Sequence, residues 1–160
     1  MIRGMKANDW AQVAGIYNQS IVRGNSTFST KCPTYEQWDR EHLKECRLVC
    51  EQDGQVVGWT ALSPISSKSA YHGTAEVSIY IDEACQGKHI GTELLNTLST
   101  ESEKEGFWSL YSVIFSRNSV SIALHRKCGF REIGYRERVA KDRFGNWQNT
   151  TLMERRNGIE

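Results

Sequence analysis

The chain reads as a mixed α/β fold with an α+β-like front half, on three observations. From Thr74 to Glu105 an apolar strand, a short glycine-bearing loop and a helix follow one another. After residue 74 the order is strand, helix, strand, helix, strand, which calls for crossover connections and local parallel pairing. Ahead of it, Asp53-Gly54 stands between two apolar runs, the pattern of a tight antiparallel hairpin.

Taken in order, Ile2 to Met5 is a short first strand. Asn8 is placed to cap a helix to about Ser20, in which Trp10, Val13, Ala14, Ile16, Tyr17 and Ile21 form an apolar face at three- and four-residue spacing. Gly24 to Lys31 is a polar loop carrying Phe28, suited to line a pocket. Thr34 and Gln37 after Pro33 form a capping box for a helix to about Cys46. Leu48 to Glu51 and Gln55 to Leu62 are the hairpin strands, and Pro64 to Ser69 is a serine-rich loop. Ala75 to Ile81 is rich in β-branched and aromatic residues but carries a carboxylate, Glu76. Beyond the helix from Thr92 to Glu105, Gly106 stops the run and Ser109 to Phe115 is the next strand. Asn118 or Ser119 caps a helix to about Cys128, Gly129 closes it, and strands follow near 131–139 and 147–155.

At 160 residues this is one domain, 1–160, long enough for a single core. A net charge of +1 supplies no field to gather nucleic acid or an anionic membrane, so neither is an expected partner. No apolar run nears the roughly 20 residues that span a bilayer. The start, Met1-Ile2-Arg3-Gly4, lacks an apolar leader, so a cytoplasmic location is expected. The five cysteines are odd in number without C-x-x-C spacing and read as reduced thiols. His42, Cys46 and Cys50 recur every four residues, but strand onset at Arg47-Leu48-Val49 breaks the shared face, and no metal is expected.

The loop Gln86-Gly87-Lys88-His89-Ile90-Gly91 can converge several backbone N–H groups on one anion, and the helix behind it adds its positive end. Neither a Walker A loop nor a G-x-G-x-x-G fingerprint is present. The loop resembles the Q/R-x-x-G-x-G/A signature of the GNAT superfamily of N-acetyltransferases, with His89 where that signature has its middle glycine. A second stretch, Asn118-x-x-Ser121-Ile122-x-Leu124-His125-x-x-x-Gly129-Phe130, is similar to the same superfamily's N-x-x-A/S-x-x-L-Y/H-x-x-x-G-F pattern. The resemblance implies the acetyltransferase fold, a central twisted, mostly antiparallel sheet with a splayed parallel strand pair and flanking helices. It also implies acetyl-CoA as co-substrate, with its pyrophosphate on Gln86, Gly87, Lys88, His89, Ile90, Gly91 and Thr92. Asn118 and Ser121 would meet the pantetheine arm, which could add as a strand to the backbone of Ile79, Tyr80 and Ile81.

Ile16-Tyr17-Asn18, Ser26-Thr27-Phe28, Gly58-Trp59, Ala70-Tyr71, Leu124-His125 and Gly145-Asn146-Trp147 together resemble the phosphinothricin N-acetyltransferase branch over about residues 2–155. That branch acetylates the amine of small amino-acid-like compounds such as phosphinothricin and methionine sulfoximine, and a homodimer is the assembly expected. The chain departs from it at Ser66-Ser67-Lys68, where the branch tends to be arginine-rich, and at Asn149, where it has Asp. Lys is a point charge and Arg a bidentate clamp, so Lys68 is a weaker anion site. Phe28, Trp38 and Tyr71 are candidate aromatic walls for the substrate, though such residues are more often core.

An ammonium must lose a proton before it can attack, and Glu76 in an apolar strand is the candidate base. It could equally be an edge-strand carboxylate facing solvent, with Val77, Ile79 and Ile81 on the other face. A backbone N–H of 77–81 is the candidate oxyanion donor, and His125 the candidate acid for the leaving thiolate, unless it is an ordinary helix histidine. Two other readings stay open, a non-catalytic CoA-binding sensor and a peptide or protein N-acetyltransferase.

Overall fold

The computed structural model describes residues 1–158. Its strands are β1 (Ile2–Gly4), β2 (Leu48–Gln52), β3 (Gln55–Pro64), β4 (Thr74–Ile81), β5 (Ser109–Phe115), β6 (Arg131–Lys141) and β7 (Trp147–Arg156). Four helices, α1 (Trp10–Arg23), α2 (Tyr35–Glu41), α3 (Ile90–Lys104) and α4 (Ser119–Lys127), join them. The sheet runs β1-β2-β3-β4-β5-β7-β6, antiparallel throughout except between β4 and β5.

Leu94, Leu95 and Leu98 of α3 are fully buried against Leu62, Ala75, Leu110 and Met153 on one face of the sheet. Each such side chain contributes about 1.5–3 kcal/mol by leaving water. α3 sits close because Gly58 of β3 has no side chain, since a Cβ there would lie 2.9 Å from Ile81 and 3.0 Å from Leu94. On the opposite face α1 and α2 enclose a second cluster of Val13, Ile16, Trp38, Val49, Val56, Trp59 and Ala61.

The local signals hold where they are self-contained. Thr34 accepts the Gln37 N–H at 3.2 Å and Gln37 returns to the Thr34 N–H at 2.9 Å, the capping box expected of that pair. α1 begins one residue later than the Asn8 cap predicts. Asp9, clamped by Arg3 at 2.8 Å, takes the Lys6 N–H and closes a 3₁₀ turn over Ala7–Asp9 first. α2 stops at Glu41 rather than near Cys46 because the Arg47 guanidinium takes the carbonyls of Asp39, His42 and Leu43. His42, Cys46 and Cys50 therefore share no helical face. β4 lies between β3 and β5, which removes the edge-strand reading of Glu76.

The β4–β5 pairing starts at Gly73, whose carbonyl accepts the N–H groups of Trp108 at 2.8 Å and Ser109 at 3.2 Å. A Cβ on Gly73 would fall 2.1 Å from the Trp108 ring. A rigid indole cannot yield as an aliphatic tip does, so Gly73→Ala is expected to cost about 1–3 kcal/mol. Urea unfolding tests this, the expected result being a lower midpoint at unchanged slope.

Candidate active site

β4 and β5 pair only over Thr74, Ala75 and Glu76 against Ser109, Leu110 and Tyr111. Past that point they part, and a cleft of about 540 Å³ opens between Val77–Ile81 on one side and Ser112–Ile114 on the other. Strand alternation says what faces the gap. The Asp82 N–H bonds the Val57 carbonyl at 2.8 Å and the Ser78 carbonyl accepts from Thr60 Oγ1 at 2.8 Å, so even-numbered residues of β4 turn their backbone to β3. Val77, Ile79 and Ile81 therefore turn theirs toward the departed β5. Tyr80 was expected to present its backbone too, but offers its ring, which packs on Tyr17 at 4.9 Å and Trp59 at 5.2 Å.

At the far end of the cleft the chain makes a 3₁₀ turn, capped by Asp82, and enters Gln86–His89. Gly87 (φ 77°) and His89 (φ 64°) are both left-handed, and His89 is the N-cap of α3. Its side chain caps nothing, leaving the first-turn N–H groups of α3 without a side-chain acceptor. That is an anion site in form, an open helix N-terminus at the mouth of a cleft. α3 starts at Ile90 instead of Thr92 because His89 accepts the left-handed dihedral that the middle glycine would have supplied. Gly91 is required by packing, since a Cβ would meet Leu124 of α4 at 2.9 Å.

Glu76 is the last paired residue before the strands part. Burial pushes its carboxyl above the ordinary carboxylate range. Tyr111, its partner across the parallel ladder, has its hydroxyl raised by burial and then by Glu76, which brings the two groups into electrostatic reach. His125 of α4 lies on the other side of the cleft, 2% exposed, with its ring edge-on to Phe130 at 5.0 Å. Its Nδ1 is 2.7 Å from the Ser121 carbonyl, which can only accept, so Nδ1 carries the hydrogen. Burial lowers the imidazole's pKa further than that bond raises it, and the neutral ring presents an unprotonated Nε2. This runs against the acid role, which needs a proton on Nε2.

Of the expected ligand-binding residues, Ile79, Tyr80, Ile81, Gln86, Gly87, His89, Ile90, Gly91, Thr92, Asn118, Ser121 and His125 line the cleft together. Lys88 does not; it points to solvent. Asn118 caps α4 by accepting the Ser121 N–H at 3.2 Å. Trp38 is corrected outright. It is fully buried between Trp10 and Trp59 and stacked on His42, a core residue with no surface to offer a substrate. Lys68 and Tyr71 lie exposed on the loop entering β4, outside the cleft. Phe28 is half-buried on Phe115, ring centres 4.6 Å apart. Sequence reading missed Tyr111 and the cleft wall of Ser20, Arg23, Asn25 and Ser26 at the end of α1. Nothing local marks them, because their place depends on strand register and on how α1 lies across the sheet.

Residues 10–130 match the model of the acetyltransferase (GNAT) family. The chain belongs to the GNAT acetyltransferase family. Phosphinothricin N-acetyltransferase of Alcaligenes faecalis is 31% identical over 165 residues, 96% of this chain and 81% of that protein. L-methionine sulfoximine/L-methionine sulfone acetyltransferase of Salmonella typhimurium is 29% identical over 160 residues, 96% of this chain and 92% of that one. The crystal structure of a GNAT superfamily phosphinothricin acetyltransferase from Sinorhizobium meliloti in complex with AcCoA superposes with a TM-score of 0.90 at 28% identity, covering 99% of this chain and 88% of that one.

This GNAT cleft fits acetyl-CoA on its own chemistry. An uncapped helix N-terminus suits the diphosphate, and the unpaired β4 edge suits the amides of the pantetheine arm. Among the described residues no group of three or more His, Cys, Asp or Glu side chains is gathered to hold a metal, and no helix is long and apolar enough to cross a membrane. A non-glycine residue in the left-handed region costs about 1 kcal/mol, so His89→Gly relieves strain at the phosphate loop. Titration calorimetry is expected to give acetyl-CoA affinity equal to or above wild type at every pH from 5.5 to 8. A deficit that grows toward acid would identify the imidazole as a phosphate ligand.

Proposed function

We propose that this chain moves the acetyl group of acetyl-CoA directly onto the primary amine of a small amino-acid-like acceptor, of the phosphinothricin or methionine sulfoximine type. The observation that carries this is the position of Glu76. It is a half-buried carboxyl, without a hydrogen bond or ion pair to the described residues, at the point where the β4–β5 gap opens. The names of the relatives in Alcaligenes and Salmonella support the acceptor class.

The residues divide the work by side of the sheet. The thioester of acetyl-CoA supplies the acetyl group, and the open β4 edge together with the α3 N-terminus holds the donor. Val77, Ile79 and Ile81 turn N–H groups into the gap, where they can stabilise the developing oxyanion. Glu76 takes the proton from the acceptor's ammonium on the face that α1 and α2 flank. Attack leaves a second proton on the nitrogen, which must go as the C–S bond breaks, and neutral His125, lining the cleft from the α4 face, is assigned as its acceptor through Nε2. We assign the acid role to no residue, and the thiolate takes its proton from solvent.

Four measurements test this. A panel of free amino acids, polyamines and peptides, read by thiol release, is expected to give turnover with free amino acids and background with the rest. Absence of thiol release with every amine would leave only a CoA-binding module. Glu76→Gln is expected to lower kcat by roughly 10² to 10⁴ with acetyl-CoA affinity unchanged. In the wild type, kcat/KM should rise with pH through a value above the ordinary carboxylate pKa, since the base works only when ionised. His125→Phe separates the two histidine roles by sign. An acceptor is active above its lowered pKa, so the loss should widen as pH rises from 5 to 8; a loss widening toward acid would restore the acid role.

A further inference from the structure

The closed end of the gap holds a polar group without a partner, on the side away from Glu76. Glu76 and Tyr111 are the last residues paired between β4 and β5, so Val77 and Ser112 stand one step further on, at the point where the strands part. Alternation turns both to the face opposite that of Glu76 and Tyr111. On that face β5 presents Leu110, Ser112 and Ile114 in a row, and the two apolar members are buried in the cluster under α3 that also holds Val77, Cys128 and Phe130. His125 lies on the same side, edge-on to Phe130.

A serine in the middle of that stripe calls for a bond. Ser112 is 2% exposed and lines the cleft, yet its Oγ has no hydrogen-bond partner among the described residues. Other buried hydroxyls find carbonyls: Ser99 donates to Leu95 at 2.9 Å, Ser102 to Ser99 at 2.8 Å and Thr60 to Ser78 at 2.8 Å. Thr150, also without a partner, does not line the cleft. A buried donor left unmade works against folding, so one kept at a cleft wall points to a ligand atom. Only χ1 separates the serine oxygen from the backbone, and the hydroxyl can turn between staggered positions without moving β5.

The reacting end of the donor belongs at this closed end. With the diphosphate on the α3 N-terminus at the far end, an arm laid along Ile81, Ile79 and Val77 runs toward Glu76 and brings the thioester there. We propose that the Ser112 hydroxyl donates a hydrogen bond to the sulfur that leaves as thiolate. This rests on the acetyltransferase reading above and supplies the leaving group with a partner inside the protein. As the amine attacks and the C–S bond breaks, the bonding pair goes to sulfur and its negative charge grows. A thioester sulfur is a weak acceptor and a thiolate a charged one, so the hydrogen bond strengthens as the reaction proceeds. The hydroxyl keeps its proton, since a thiol, with a pKa of about 8.5, is a far stronger acid than an alcohol. Solvent then protonates the thiolate, as above.

Ser112→Ala removes the donor and keeps the shape. In single-turnover acetyl transfer to the best acceptor of the amine panel, the variant is expected to slow roughly 10- to 100-fold, the scale of one hydrogen bond to a charge, with acetyl-CoA affinity within about twofold of wild type. Its urea midpoint should hold or rise because no bond of the folded chain is lost, whereas a purely structural serine would lower it. The thiol of bound CoA gives a readout free of turnover, followed by thiolate ultraviolet absorbance against pH. In the wild type it should ionise below the ordinary thiol value, and in Ser112→Ala about one pH unit higher than in the wild type. Coincident thiol titrations in the two proteins, or an unchanged single-turnover rate, would overturn the assignment of Ser112 while leaving the acetyltransferase reading intact. If the wild type acetylates no amine of the panel, the acetyltransferase reading itself falls and this role with it.

Discussion

The parting of β4 and β5 after three paired residues is the constraint on which the rest of the molecule depends. A sheet interior does not ordinarily leave backbone N–H and C=O groups unpaired, because each costs free energy comparable to a lost hydrogen bond. Here the strands are forced together at Gly73 and Trp108 and then held apart by their other neighbours, β3 on one side and β7 on the other. What remains is a strand edge in the middle of a sheet, open to a ligand that can bond like a strand. The pantetheine arm, with its two amides, has that character. α3 is the second half of the device, since its uncapped end faces the same cleft from the far side of the loop.

Because the donor would lie in the gap itself, the two faces of the sheet become chemically separate rooms. One holds Glu76 and Tyr111, and the other His125 under α4. Burial acts on both titratable groups but in opposite directions, disfavouring the carboxylate on one side and the imidazolium on the other. Both shifts favour the uncharged form, which is the form least costly to bury beside an apolar cleft.

What the sequence made legible was local. The capping box at Thr34, the Asp53-Gly54 turn and the strand-loop-helix of residues 74–105 are each defined by residues a few positions apart, and each is present. Motif resemblance located the cleft lining at Gln86, Gly87, His89, Ile90, Gly91 and Thr92 and at Asn118 and Ser121, Lys88 excepted. The failures share a cause. In sequence Trp38 is a candidate pocket wall beside Phe28 and Tyr71, but its neighbours in space are Trp10 and Trp59. The early end of α2 depends on Arg47 folding back. Tyr80's backbone direction follows from register with β3, and Tyr111 reaches the Glu76 face through a pairing between strands distant in the chain.

The turn between β6 and β7 reaches back across the whole fold. Buried Asp142 gathers the N–H groups of Phe144 and Asn146 and the Gln148 amide, while Arg143 bonds the Ile21 carbonyl at 2.8 Å near the end of α1. Arg117 adds its weak bond to Gly24 at 3.5 Å, and Ser20, Arg23, Asn25 and Ser26 beside these anchors form a cleft wall. A wall contributed by the first sixth of the chain is thus fastened by a turn made near its end. During synthesis the ribosome must release residues 142–148 before that wall can be set, so a nascent chain that stops short of them has an unfinished mouth. Completion of the cleft therefore waits on the last hairpin.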